Sequence, residues 1–302
     1  MVCFRCYKNV SKMIRSLNNK NNLANLILCS DWHLREDTPV CYTGDYQKEQ
    51  WNSVDFISEL QKKHDCPVIH AGDLFDYWKP SPALLSETIK HLPKQFYTVY
   101  GQHDLPQHNL ELAYKSGIYT LQTGGHLSVM PTCSWGQTPN EFSSTMYNLL
   151  VWHIFNYQGK EPWPGCTDPT GLSLLKKYPQ YDLILTGDNH KPFVEEYKGR
   201  LLVNPGSLMR MDADQIDHNP RVYLWYAETN TVKPIYIPIV PDVISRKHIE
   251  IKNQRDERID SFVSHLNTDW KASVSFENNL QRFEKENIVR KDVMNIIYKS
   301  LE

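Results

Sequence analysis

Five short stretches crowd carboxylates, imidazoles and amides into the chain. They are Asp31 and His33 in DWH, Asp73 and Asp76 in GDLFD, Gln102, His103 and Asp104 in GQHD, His153 in WH, and Asp188 and His190 in GDNH. Oxygen and nitrogen donors in this mixture suit divalent cations. A carboxylate shared between two ions suits a pair of them, an arrangement that hydrolyses phosphate esters. Phosphodiester hydrolysis is slow enough that one general acid, worth about 10²- to 10⁴-fold, falls short. Water whose pKa falls from about 15.7 to about 7 on a metal is a nucleophile that no side chain here can replace. Asp31 and His33 are separated by one residue, as are Asp188 and His190. Extended backbone would aim both members of each pair the same way. Taken singly, Asp73 can cap a helix, His153 can be a satisfied core histidine and GDNH can be a turn; the ordered set carries the argument.

Four of the five stretches follow directly on a strand-like run, and strand ends in α/β sheets are where ligand sites collect. From Asn25 the pattern runs NLILCS, a loop, YQKEQWNSVDFISELQKKH, then PVIHAG. Trp51, Val54, Phe56, Ile57 and Leu60, with the His-Asp-Cys-Pro stop, predict a helix over the second of these runs. SPALLSETIKHL predicts another before QFYTVYG. After Gly117 the runs are strand-like: HLSVM, MYNLLVWHIF, YDLILTG, FVEEYKG, RLLVNPG, RVYLWYAE and TVKPIYIPI. Tyr-Lys-Gly-Arg and Glu-Thr-Asn-Thr mark hairpins. In the Pro- and Gly-rich loop between Asn156 and Gln180, Asp168-Pro169 reads as the cap and first turn of a helix over GLSLLKKY. The alternation predicts a layered α/β core. Its expected division is an N-terminal extension over 1–22, a core over 23–240 and a small capping or partner-binding segment over 241–302. In the last of these, Val289, Val293, Ile296 and Ile297 share one helical face.

In order and spacing these motifs, with NPGS at Asn204–Ser207 after the last, resemble the calcineurin-like metallophosphoesterases. They look most like the SbcD-type DNA repair exonuclease branch and its small phage-encoded members. The resemblance spans about Asn25 to Pro238 and implies a four-layer α/β/β/α sandwich with metals at the strand ends. Carried over residue by residue, it implies that Asp31, His33 and His190 hold one metal, that Asp73 bridges, and that His153 holds the second. His103 would protonate the leaving oxygen or stabilise the phosphoryl transition state, with Asp104 orienting its ring. The sequence departs from the family pattern at two ligands of the second metal, where Gln102 stands for Asn and Asp188 for His. Both substitutes are oxygen donors, which favours Mn²⁺, with Mg²⁺ next, over softer ions. Asp76, His70 and His108 lie near the motifs; Asn204 and Arg210 are candidates for contact with substrate.

The chain has 302 residues, 40% of them hydrophobic and 23% charged, enough for one large domain or a large and a small one. No apolar run approaches the roughly 20 residues that cross a bilayer, and the first 22 lack the apolar core of a secretory signal, so a soluble, cytoplasmic protein with no membrane partner is expected. Seven cysteines, an odd number, fit a reducing compartment. Cys3 and Cys6 form one CxxC without the second pair that a zinc knuckle needs. A net charge of -2 counts against tight sequence-independent DNA binding by the chain alone. Lys191, Lys198, Arg200, Arg210, Arg246 and Lys247 are the local cations that would meet phosphates. The leading expectation is a metal-dependent DNA exonuclease or endonuclease whose resemblance implies an SbcC-like ATPase partner with a long coiled coil, a homodimer being among the assemblies it allows. The alternatives are a stand-alone cyclic-nucleotide or small-molecule phosphodiesterase, with Tyr157 and Trp163 stacking on a base, and a DNA- or partner-binding subunit that has lost turnover.

Overall fold

The computed structural model describes residues 23–139, 148–267, 276–287 and 289–300. The CxxC of Cys3 and Cys6 and the expected extension lie outside the described residues. The chain divides into two compact units, Met1–Arg246 and Lys247–Glu302. The stretch 241–246 belongs to the first: Val243 and Ile244 are buried, and Ile244 bridges to Tyr42.

The first unit contains two sheets. The larger has the order β10-β9-β1-β2-β3-β4, in which β1 (Leu26–Cys29), β2 (Val68–His70), β3 (Phe96–Thr98) and β4 (Ser128–Val129) are parallel. The β9 (Arg221–Tyr226) and β10 (Thr231–Tyr236) hairpin joins antiparallel through β9 to β1. The smaller sheet has the order β5-β6-β8-β7, with β5 (Leu149–Trp152), β6 (Leu183–Thr186) and β8 (Arg200–Asn204) parallel and β7 (Phe193–Tyr197) antiparallel to β8. Alternation along the strands builds the layers. Leu26, Leu28 and Ile69 of one sheet share a core with Leu149, Val151, Leu183, Leu185, Leu201 and Val203 of the other. Leu150, Trp152, Ile184 and Leu202 face the opposite way, onto Leu174 and Leu175 of a short helix. Buried on both faces, these strands read as continuous apolar runs.

The helix predicted first is α1 (Tyr46–His64). Asp45 caps it by accepting the Lys48 N–H, and it ends where Asp65 turns left-handed (φ 52°) and returns its N–H to Gln61. The second is α2 (Pro82–His91), capped by Ser81 with Pro82 in the first turn. Next come α3 (Gly117–Thr123) and α4 (Gly171–Lys177). The cap of α4 is Thr170, whose Oγ1 accepts the Ser173 N–H; Asp168 accepts the Cys166 thiol instead. The cap therefore sits two residues later than the Asp-Pro pair suggested, because the Pro169 carbonyl is engaged by the Tyr157 N–H in the loop.

The second unit contains α5 (Lys247–Asn267), α6 (Phe276–Glu286) and α7 (Lys291–Lys299). On α7, Met294 is buried while Val293 and Ile296 are exposed. Val289 and Ile297 are half-buried, so the face expected to be apolar is exposed or half-buried along its length, and the buried residue, Met294, lies outside it. Among the described residues no helix is long and apolar enough to cross a membrane.

Candidate metal centre

Every motif sits just beyond the carboxyl end of a parallel strand: Asp31 and His33 after β1, Asp73 after β2, Gln102 and His103 after β3, His153 after β5, Asp188 and His190 after β6. The two sheets aim these ends at one another. Three convergent groups result, in each of which the donor atoms lie within 4.8 Å: Asp31, His33 and His190; His33, Asp73 and His103; and Asp31, Asp73 and His153.

The Asp31–His33 pair converges for a different reason from the one its spacing suggested. Asp31 and His33 are both left-handed (φ 50° and 46°), as are Asp73 (56°) and Asp188 (75°). Such conformations cost roughly 1–3 kcal/mol each and persist only where the surroundings fix them. The surroundings do so twice over. The Asp31, His33 and Leu34 N–H groups donate to the carbonyls of Gly72, Asp73 and Leu74 at 3.1, 3.0 and 2.9 Å, lacing the loop after β1 to the loop after β2. Between the two ligands Trp32 is fully buried, its ring 5.3 Å from His70 and 5.0 Å from Phe96. A tryptophan burying about 150–250 Å² at about 25 cal/mol/Å² gains about 4–6 kcal/mol, enough to hold the two strained neighbours.

Donor by donor, the site presents lone pairs to one another. His153 Nδ1 donates to the Ala71 carbonyl at 2.6 Å, which turns Nε2 toward Gln102 Oε1 at 2.6 Å and Asp73 Oδ2 at 3.3 Å. His33 Nε2 faces His190 Nε2 at 3.2 Å and Asp73 Oδ2 at 3.7 Å. Asp73 Oδ2 thus lies between the His33 and His153 rings, as a bridging oxygen would. It is buried without a hydrogen-bond partner, as is Asp31 Oδ2. The other oxygens are used: Asp73 Oδ1 accepts the His103 N–H at 2.9 Å and Asp31 Oδ1 the Asp188 N–H at 2.9 Å. Buried carboxylate oxygens without a hydrogen bond are costly unless positive charge lies beside them. The residues present therefore fit divalent metal. Asp31, His33, His190 and Asp73 would hold one ion, and Asp73, His153 and Gln102 would hold a second. A bound ion supplies Lewis acidity toward a phosphoryl oxygen and activates water at neutral pH.

The electrostatics agree. Burial alone would depress the His153 pKa, but Asp73 in contact, with Asp31 and Asp188 behind it, pushes it up to about 10. Burial would raise Asp73, but His153 and His33 hold it well below the usual carboxylate range. The cavity favours positive charge.

Two glycines are fixed by this crowding. A Cβ on Gly101 would sit 2.0 Å from Asp73 Oδ1, and one on Gly72 (φ 97°) would sit 2.5 Å from His153 Nδ1.

Several expected roles are moved by the structure. The ring of His103 is oriented by Asp76, whose carbonyl accepts from Nδ1 at 2.9 Å, and not by Asp104. The Asp104 carboxylate is buried and accepts the N–H groups of Leu74, Phe75 and Gly101, tying together the loops that carry Asp73 and His103. Burial, reinforced by the charge of Asp73, pushes its pKa up to about 7. Arg210 does not face a substrate: it is buried, and Nη2 donates to the Val240 carbonyl at 2.5 Å. Arg200 is likewise committed to the carbonyls of Leu175 and Tyr178. Asn204 is fully buried and bonds to the Asn189 carbonyl and the Gly206 N–H, so it shapes the loop between Asp188 and His190. Asp188 belongs to none of the three convergent groups; its Oδ1 accepts from Gln102 Nε2 at 2.6 Å. Asn156 and Asn189, which the motifs did not single out, link the two strand-end loops of the smaller sheet at 2.7 Å. Arg35 was also passed over; it holds Asp76 at 3.3 Å, and Asp76 in turn stands 3.5 Å from His33 Nδ1.

A two-sheet sandwich with helices outside and an Asp/His metal cluster where the strands end defines a metallophosphoesterase. The chain belongs to the calcineurin-like phosphoesterase superfamily, whose domain model matches residues 25–224. Among solved structures, an archaeal phosphodiesterase is 16% identical, the match covering 70% of this chain and 98% of that one with a TM-score of 0.40. A structure described as a 5′-nucleotidase of Staphylococcus aureus is 14% identical, covering 73% and 54% respectively, with a TM-score of 0.41. No match was found among curated proteins.

Proposed function

We propose that this phosphoesterase is a phosphodiesterase acting on nucleic acid, a DNA nuclease of the SbcD type that uses two divalent ions, Mn²⁺ best. The observation that carries the reading is His103. Its ring is exposed, its Nδ1 is committed to the Asp76 carbonyl at 2.9 Å, and its centroid stands 4.8 Å from that of His33. Nε2 is thereby the atom available to substrate. A proton donor at that place serves a poor leaving group such as the alkoxide of a sugar–phosphate diester. As water adds to phosphorus and sheds a proton to solvent, the P–O bond breaks and the His103 imidazolium gives its Nε2 proton to the departing oxygen, to be reprotonated from solvent. The local charges fit a diester over a dianionic monoester: Arg35 is engaged by Asp37 and Asp76, and Arg210 is turned to the Val240 carbonyl. Among the motif's neighbours, Lys191 is the exposed cation beside His190. DNA affinity beyond this would come from a partner, for which an ATPase of the SbcC type is our candidate.

The base-recognition alternative draws on Trp163, 48% exposed and 5.1 Å from Phe155, two residues beyond His153. The test is hydrolysis of end-labelled duplex and single-stranded DNA and of cyclic nucleotides with Mn²⁺, Mg²⁺ or chelator, beside His103→Ala. Metal-dependent DNA cleavage that drops about 10²- to 10⁴-fold in the variant is expected. Turnover of cyclic nucleotides alone would overturn the nuclease reading, and Mn²⁺ binding without turnover of any diester would favour a non-catalytic subunit.

A further inference from the structure

We infer that Asp188 is a positioning residue: its carboxylate fixes the amide of Gln102 so that Gln102, and not Asp188, presents an oxygen to the cation beside His153. The inference rests on the metal-centre reading of the cluster but not on the substrate. A carboxylate accepts and cannot donate, so the end of the Gln102 amide lying 2.6 Å from Asp188 Oδ1 is its NH₂. The amide oxygen is then forced to the opposite corner, where it meets His153 Nε2 at 2.6 Å. His153 has its other nitrogen on the Ala71 carbonyl, so two acceptors, Gln102 Oε1 and Asp73 Oδ2, converge with Nε2 on one point. Asp188 is itself anchored, its N–H on Asp31 Oδ1 at 2.9 Å and its φ at 75°. It therefore holds Gln102 from the same carboxylate that serves the neighbouring ion.

Gln102 and Asp188 are thus one unit, although 86 positions separate them. A neutral amide oxygen is a modest ligand. Drawing on its N–H with an anion increases the negative character of the oxygen, as partners behind a ligand commonly do. The charge of Asp188 reaches the cation through the amide, and the resulting all-oxygen and imidazole set suits a hard ion.

The test is a double-mutant cycle read by Mn²⁺ binding, with free Mn²⁺ followed by electron paramagnetic resonance during titration of metal-free protein, and by melting temperature. Gln102→Ala and Asp188→Ala are each expected to weaken the weaker-bound Mn²⁺ about 10- to 100-fold. The double variant is expected to stay within about threefold of either single one, because the two residues act through one ligand. Asp188→Asn, which keeps an oxygen for the Gln102 NH₂ and the size of the side chain, should retain more affinity than Asp188→Ala, and it serves in place of the alanine variant if that fails to fold. Losses that multiply in the double variant, an Asp188→Ala protein that binds as wild type, or an Asp188→Asn protein no better than alanine would overturn the assignment. A wild-type protein that takes up no Mn²⁺ would overturn the metal-centre reading with it.

Discussion

Replacing Gly101 with alanine should disable the site by contact alone. The added carbon would lie 2.0 Å from Asp73 Oδ1 and 2.5 Å from the Asp73 backbone nitrogen, and both atoms belong to a residue that cannot swing aside. Carbon contacts are favourable near 3.5 Å, so the two loops must part by more than about 1 Å. Overpacking of this kind costs about 1–3 kcal/mol. Parting the loops also strains the bond from the His103 N–H to the Asp73 carboxylate, worth a further 1.5–3 kcal/mol or so as a hydrogen bond to a charged group. Against the roughly 5–15 kcal/mol that stabilises a domain, a loss of about 2.5–6 kcal/mol is large. A displacement of 1 Å at a reacting centre can cost about 10²-fold in rate. The assay is urea denaturation with Mn²⁺-dependent hydrolysis of a chromogenic diester, beside Gly199→Ala, where φ is 72° and nothing lies within 4 Å of the added carbon. That control should lose only the left-handed cost of about 1–2 kcal/mol. A Gly101→Ala protein with the midpoint of the control and full turnover would refute the reasoning.

Asp104→Ala strands the buried N–H groups of Leu74, Phe75 and Gly101. At about 1–3 kcal/mol for each unpaired donor it should destabilise by several kcal/mol in chemical denaturation, and a change near zero would show that water replaces the carboxylate. Saturating Mn²⁺ should raise the melting temperature of chelator-treated protein, since binding at 100 times Kd adds about 2.7 kcal/mol; an unshifted melt would count against a metal centre. His64 is held below its ordinary pKa by burial, and its Nδ1 accepts the Ala24 N–H at 3.1 Å. A base whose folded pKa is depressed gives its full contribution above the unfolded value near 6.5 and loses it as pH falls through the folded pKa. Stability of the wild type should therefore decline more steeply below pH 6.5 than that of His64→Gln. Parallel pH–stability curves would contradict this.

The sequence carries the strands and helices of the first unit because each announces itself locally. Val54 and Ile57 recur with helical period, and Leu149–Trp152 and Leu183–Thr186 are apolar runs ended by a histidine or a glycine. The motif residues are found for the same reason, at the ends of those runs. What the residues do to one another is less local. The aim of Asp31 and His33 comes from left-handed backbone held by Trp32 and by amides of another loop, which spacing alone represents as an extended strand. Asp104 follows His103 in the chain, yet its carboxylate turns inward to three amides. Arg210 carries a charge that composition assigns to the surface, and it is spent on a backbone carbonyl. In each case the decisive partner lies tens of positions away or is a backbone group, which side-chain chemistry does not reveal.

The seam between the sheets has a consequence for where the site can exist. The bonds from His153 Nδ1 to the Ala71 carbonyl and from the Asp188 N–H to Asp31 cross from the smaller sheet to the larger, over sequence separations of 82 and 157 residues. Neither sheet carries a complete set of donors: Asp31, His33, Asp73 and Gln102 follow strands of the larger, and His153, Asp188 and His190 follow strands of the smaller. The site therefore exists only where the two sheets are packed against one another.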